Sequence, residues 1–358
     1  LVKPRLQPYF TPLPAGAEGA AYLWARTVAC PATGKPVPLS PNWWLRRGDD
    51  PVAVRLLTDP SWGEPRIEIV RGAMGGYDPD QGTIRRGVAR SPWTGEAIDG
   101  EHIKREAHAG LMGQMLYAVA VKGAGGMTFR VPHVEDRLAA QHAEEVVAQQ
   151  LASWEGQGFL PRESYPEQTN DPRPLLYGMR VWADLLSPRQ QLSAVTFVAA
   201  LRELSADLAE SEGAERAQAI RTYLGLALSK CLNYNSRLAS WHAPRCVIRS
   251  VFDRHDFSVK WSFAEFDAAH NLLPWAVAQV EDAYRGIAEL SNPSEQCSLL
   301  GTGPHVGAAA PPPGPRAVHI SQGSASDLAG IPSGSIHHVC VDPPYYDNVM
   351  YAELSDFF

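Results

Sequence analysis

Apolar residues in the first third of the chain come in short runs broken by Gly and Pro, the punctuation of small sheets. Ala21–Ala29 and Val52–Leu57 predict strands, and Pro65–Arg71 sets Ile67 and Ile69 on one face with Glu68 between them. Asp99–Gln114 predicts a short helix with Asp99 as its N-cap and His102 where a capping box would carry Glu. Met115–Lys122 and Met127–Val131 predict a hairpin across Gly123–Gly126. Beyond residue 130 the apolar spacing lengthens to that of helices. Val134, Leu138, His142, Val146 and Leu151 define one over His133–Glu155. Leu192, Val195, Val198, Leu201, Leu204 and Leu208 form the apolar face of Pro188–Leu208, and Ile220, Leu224, Ala227 and Cys231 that of Ala214–Leu232. Pro274–Leu290 predicts another helix, and Pro161–Pro174 a loop.

Residues 291–315 read as a linker, because Pro311-Pro312-Pro313-Gly314-Pro315 suits neither a helix nor a central strand. Arg316–Ser321 then predicts a short strand, and the mostly apolar Ile336–Val341 a buried parallel strand. Strand, crossover and strand make an α/β pattern. The expected organisation is a β-rich region over 1–130, a helical region over 131–290, the linker, and part of an α/β domain over 316–358.

Composition adds little until the charge is divided. The chain of 358 residues is long enough for about two domains. Its net charge of −7 conceals 16 Lys+Arg against 12 Asp+Glu in residues 1–130, and 16 against 27 in the remainder. Only the first third has the sign expected for phosphate contacts. Arg85, Arg86, Arg90, Lys104 and Arg105 cluster there beside Trp93 and are candidates to track a nucleic-acid backbone. The five cysteines are scattered, which argues against a disulfide framework. No apolar run approaches the ~18 residues of a membrane span and no leader is recognisable, so the expectation is a cytoplasmic protein without a membrane partner. Opening at Leu1 and stopping at Phe357-Phe358 within a predicted helix, the sequence reads as an excerpt of a longer protein.

One internal repeat stands out. Cys30-Pro31-Ala32-Thr33-Gly34 recurs as Ser91-Pro92-Trp93-Thr94-Gly95, each after a strand-like stretch. Two such turns resemble the knuckles of a zinc ribbon, which would want Cys at positions 30, 33, 91 and 94. Only Cys30 is a thiol, and the histidines show no HxxxH or HxH spacing. The expectation is that the turns persist without metal and that no residue serves as a metal ligand.

The sharpest chemistry lies near the C-terminus, in Val339-Cys340-Val341-Asp342-Pro343-Pro344-Tyr345. In open α/β sheets ligands bind beyond the carboxyl ends of strands, where Asp342 would stand. The exocyclic nitrogen of adenine is a poor nucleophile because its lone pair is delocalised into the ring. A site that accepts hydrogen bonds from both its N–H groups lets that lone pair turn toward an incoming methyl. The Asp342 carboxylate and the Pro343 carbonyl are suited to accept them, with Pro343 and Pro344 holding the backbone in an extended turn. Tyr345 is suited to stack on a base taken out of the duplex.

Val341–Phe358 resembles the corresponding segment of the large bacterial and archaeal adenine-specific DNA methylases that contain a zinc ribbon. Further segments are similar to that family: Cys30–Leu45 with Trp43-Trp44; Gly82–Tyr117 with Gly110-Leu111-Met112-Gly113; Tyr177–Leu208 with Trp182, Asp184 and Arg189-Gln190; Asn233–Ala243 with Arg237 and Trp241; and Gly323-Ser324-Ala325. The resemblance implies an α/β fold: part of a Rossmann-like methyltransferase sheet using S-adenosylmethionine, carrying an α+β insert made of a degenerate zinc ribbon and a helical part. It implies adenine-N6 methylation of DNA by Asp342, Pro343, Pro344 and Tyr345. Gly323, Ser324 and Asp327 would contact the cofactor, and Tyr346, Asp347 and Asn348 would shape the base pocket. The family's main cofactor loop, of Phe-x-Gly-x-Gly type, does not occur, and Gly123-Ala124-Gly125-Gly126 reads as a hairpin turn. The ribbon cysteines are the clearest departure, so zinc is not expected. Within the class, cytosine-N4 methylation is the competing reaction. Outside it stands a non-catalytic DNA-binding subunit, or a member of a phage-defence or modification complex with protein partners. Arg237, Trp241, Arg254 and His255 carry polar chemistry without an assigned role.

Overall fold

The computed structural model describes residues 1–169, 171–254, 256–291, 320–328, 330–345 and 349–358. In chain order its strands are β1 (Ala17–Ala29), β2 (Pro36–Leu39), β3 (Trp44–Arg46), β4 (Val52–Leu57), β5 (Arg66–Arg71), β6 (Ile84–Arg85), β7 (Val88–Arg90), β8 (Ala97–Ile98), β9 (Gly113–Gly123), β10 (Gly126–Arg130), β11 (Ser240–His242), β12 (Val247–Arg249) and β13 (Ser262–Phe266). The helices are α1 (Val2–Leu6), α2 (Gly100–His108), α3 (Val134–Gly156), α4 (Arg173–Leu176), α5 (Pro188–Glu212), α6 (Ala214–Tyr234), α7 (Leu272–Ser291) and α8 (Tyr351–Phe357). The chain divides into two compact units, Leu1–Val277 with Met350–Phe358, and Ala278–Val349.

The first unit is organised by β1. Its length lets one edge pair with β9 over Ala17–Thr27, while the other is shared by β13 along Ala21–Ala25 and β2 along Arg26–Ala29. β10 completes the sheet beyond β9, in the order β10-β9-β1-β13. The predicted hairpin is therefore present, turning through Gly126 at φ 98°. Both faces of β1 are covered, so it reads as a nearly continuous buried run. Ala21, Leu23 and Ala25 enter a core with Leu45, Val52, Val54, Ala118 and Ala120. Trp43 closes that core edge-on against Tyr117, with ring centroids 5.5 Å apart.

Tyr22 and Trp24, on the other face, meet the N-terminal turn of α5. Ser187 caps that helix reciprocally: its hydroxyl accepts from the Gln190 N–H, and the Gln190 carboxamide accepts from the Ser187 N–H. The cap fixes Arg189 inward, where it makes a bidentate pair with Glu265 of β13 at 2.9 and 2.7 Å. The Trp24 indole N–H donates to the same carboxylate at 2.7 Å. Both charged side chains are almost wholly buried, and this pair ties α5 to the central sheet.

All strand pairs among the described residues are antiparallel. The protein is thus a mixed α/β fold. Two sequence expectations are corrected. The helix over Asp99–Gln114 stops at His108, because Gly110 takes φ 70° and reverses the chain so that Gly113 and Gln114 enter β9. Asp99 occupies the N-cap but makes no side-chain cap bond. Ile336–Val341 forms no strand: it pairs with nothing among the described residues, and Ile336, Val339 and Val341 are exposed. An apolar run becomes a parallel strand only where neighbours supply its hydrogen bonds and cover both faces. Of the second predicted strand, Arg316–Ser321, residues 316–319 lie outside the described residues. Among the described residues no helix is long and apolar enough to cross a membrane.

Candidate functional site

The two repeated turns come together. In the first, the N–H groups of Thr33 and Gly34 donate to the Cys30 carbonyl, with Gly34 at φ 68°. In the second, the Gly95 N–H donates to the Ser91 carbonyl, with Gly95 at φ 76°. The Ser91 hydroxyl accepts from the N–H groups of Trp93 and Thr94 and donates to the Cys30 sulfur at 3.3 Å. The turns therefore face each other as ribbon knuckles do, with both Cys30 and Ser91 buried. Burial pushes the Cys30 thiol up, but hydrogen bonds from Ser91, Thr33 and the backbone of Ala32 and Thr33 outweigh it and draw the thiol below its ordinary value. The site has the donor pattern of a thiolate cradle with only one thiol in it. Among the described residues no group of three His, Cys, Asp or Glu is placed to hold a metal ion.

The basic candidates decorate this same module. Ile84, Ala89, Ile98 and Ile103 pack inward with Cys30, Val28 and Leu39. That alternation turns Arg85, Arg86 and Arg90 outward on the β6–β7 hairpin, whose tip places Arg86 at φ 52° and Gly87 at φ 79°. Arg90 donates to the Gly95 carbonyl at 2.8 Å. On α2, Lys104 is held by Glu101 at 2.7 Å and Arg105 is exposed.

Asp342, Pro343, Pro344 and Tyr345 lie in the second unit, in an irregular and exposed stretch. Gly323, Ser324 and Asp327 belong to an exposed turn in which the Asp327 N–H donates to the Ser324 carbonyl and the hydroxyls of Ser324 and Ser326 bond each other. No hydrogen bond or ion pair joins Asp342 to that turn among the described residues. Tyr346, Asp347 and Asn348 lie outside them, as does His255.

Sequence reasoning missed a cleft of about 880 Å³ in the first unit. Arg46, Lys122, Trp241, Arg245, His270 and Trp275 line it, mixing cations with aromatic edges. His270 is oriented by Asp267, whose carboxylate meets the ring Nδ1 at 2.8 Å. Burial pushes the Asp267 carboxyl up, while His270 and Arg189 oppose the shift. Asn271 packs over Gly19 so tightly that a Cβ there would lie 2.2 Å from its Nδ2. Trp241 alone carried a signal in the sequence; the rest come from separated segments that share no motif.

No protein-family model, curated protein or solved structure matches the chain.

Proposed function

We propose that the chain is part of an S-adenosylmethionine-dependent DNA methyltransferase acting on the N6 amine of a flipped adenine. The observation that carries this reading is the run Val339-Cys340-Val341-Asp342-Pro343-Pro344-Tyr345. A carboxylate followed by two prolines and an aromatic ring offers two acceptors to an exocyclic amine and a face for the base. Asp342 accepts one N–H and the Pro343 carbonyl the other. Tyr345 stacks on the ring. The facing turns of Cys30 and Ser91, and the outward Arg85, Arg86 and Arg90, support an accompanying DNA-contacting insert.

The finer fold reading is a Rossmann-like methyltransferase sheet. Gly323 has open space where a Cβ would stand, and the Asp327 carboxylate is exposed. Gly323, Ser324 and Asp327 fit one edge contact, to an adenine amino group, rather than a whole cofactor cradle. S-adenosylmethionine supplies the methyl group when bound. Tritiated-methyl transfer to adenine-containing duplexes, measured on the protein from its complete reading frame, is expected in the wild type and absent in Asp342→Ala. Activity surviving that substitution overturns the assignment. The cleft of Arg46, Trp241 and Arg245 favours a second reading, a DNA-binding or defence-complex subunit whose DNA contacts do not depend on Asp342.

A further inference from the structure

The cleft of the first unit draws its walls from separated segments. β1 supplies Gly19, the β11–β12 hairpin Trp241 and Arg245, the end of β13 Phe266, and the chain entering α7 Asn271 and Trp275. At about 880 Å³ it has the size of sites that hold a small organic molecule.

Its polar groups divide into those the fold uses and those it leaves open. Arg46 is spent on Asp50 and on the Met127 carbonyl, and Lys122 on Glu18 at 2.8 Å. The Trp241 indole N–H donates to the Leu45 carbonyl at 2.7 Å, which fixes its ring. Asp267 takes up Nδ1 of His270 and leaves Nε2. Arg245 stands exposed on the turn between β11 and β12, and its guanidinium has no partner among the described residues. Asn271 Oδ1 is a buried acceptor that no donor of the protein meets among the described residues. Gly19, at a register shift of β1 against β9, is what leaves room for the Asn271 amide.

One wall is aromatic. Phe266 stacks on Trp275 with ring centroids 5.2 Å apart and an interplanar angle of 23°. Tyr234 meets Trp275 edge-on at 4.9 Å, and Lys230 Nζ lies 4.9 Å from the Tyr234 ring centroid. Among the described lining residues Arg46, Lys122 and Arg245 are opposed by Glu18 alone. That sign fits an anion, and stacked rings fit a flat one. A duplex keeps its bases paired inside and would offer such a cleft only phosphates. An unpaired nucleotide offers a phosphate and a ring face together, and the amine of a base such as adenine is the kind of donor that Asn271 Oδ1 lacks. We propose that this cleft binds single-stranded nucleic acid, with one base adding to the Phe266–Trp275 stack and an adjoining phosphate on Arg245. The proposal refines the DNA-binding reading of the cleft and rests on it, and makes no use of Asp342.

The test is fluorescence anisotropy of the purified protein with a labelled deoxyadenosine oligonucleotide of about twelve nucleotides, alone and annealed to its complement. The single strand is expected to bind at least about tenfold tighter than the duplex. Trp275→Leu, shown to be folded by circular dichroism, is expected to weaken single-strand binding about tenfold. Arg245→Gln, at an exposed turn, is expected to fold normally and to lower the slope of log K against log salt by about 0.7; it decides the matter if the Trp275 variant does not fold. Arg216→Gln, an exposed position on α6 outside the cleft, is expected to leave the slope unchanged. A duplex bound as tightly as the single strand, a folded Trp275→Leu that binds like wild type, or equal slopes in wild type and Arg245→Gln overturns the site. Tighter capture of free deoxyadenosine monophosphate than of the oligonucleotide overturns the strand in favour of a mononucleotide. Asp342→Ala is expected to bind the strand as wild type does, so methyl transfer lost with binding intact bears only on Asp342, and binding lost with methyl transfer intact only on the cleft.

Discussion

Arg189 and Glu265 stand 76 residues apart in sequence, yet they are the most completely desolvated ion pair of the protein's helix–sheet contact. Removing one partner strands the other charge. Glu265→Leu is expected to cost about 3–5 kcal/mol, measured by denaturant unfolding; a loss under 1 kcal/mol would show that Arg189 finds another acceptor. Gly82 is constrained differently. A Cβ there would lie 2.1 Å from the Ser40 carbonyl and 2.3 Å from the Pro41 carbonyl carbon, both backbone atoms that cannot swing aside. Gly82→Ala is expected to cost about 3 kcal/mol, the upper end of ordinary overpacking, with the same measurement deciding. Neither constraint was visible in the sequence. A residue type says what a side chain can do, whereas Glu265 and Arg189 acquire their roles from partners supplied by distant strands and helices. Asp342 is the opposite case, because its meaning rests on its immediate neighbours Pro343, Pro344 and Tyr345.

The elements show where periodicity suffices. α5 and α6 were legible because amphipathic spacing over five or more turns leaves few alternatives, and the β9–β10 hairpin because glycines separate two apolar runs. β13, only five residues long and the strand that completes the central sheet, escaped notice between helical stretches. Ile336–Val341, an apolar run that predicts a strand, forms none for the complementary reason: strand propensity is expressed only beside partners. The facing turns allow an element-level prediction. Ser91 Oγ already lies 3.3 Å from Cys30 Sγ, close to the spacing of thiolates around one zinc ion. A variant carrying Thr33→Cys, Ser91→Cys and Thr94→Cys with native Cys30 is expected to bind about one zinc per chain by elemental analysis, and to unfold at a higher temperature with zinc than with chelator. If the variant folds but takes up no zinc, the turns are an ordinary pair of tight turns and not ribbon knuckles.

For the whole molecule, acid sensitivity follows from which carboxyls the fold uses. Asp136 is fully buried at the start of α3, where it accepts from the His133 N–H at 2.7 Å, Thr11 at 2.7 Å and Arg130 at 2.9 Å. Burial pushes its carboxyl up, but these bonds outweigh burial and hold it below its ordinary value. A carboxyl depressed in the folded state contributes stability that is present above its unfolded value, about 3.9, and lost as pH falls toward its folded value. Asp267 works in the opposite sense. Its carboxyl is raised, so the folded state binds a proton more tightly than the unfolded one, and this contribution weakens as pH rises through the raised value. Asp136 also joins three parts of the first unit, since its carboxylate bonds Thr11, Arg130 of β10 and the start of α3. Asp136→Asn is therefore expected to cost about 3 kcal/mol near neutrality. That cost should shrink as pH drops below 4, because the wild type then loses what the variant already lacks. Urea unfolding of both proteins between pH 7 and pH 3 measures it directly. Parallel stability curves, with the gap unchanged at pH 3, would show that Asp136 acts through shape alone and that its charge does not join Thr11, β10 and α3.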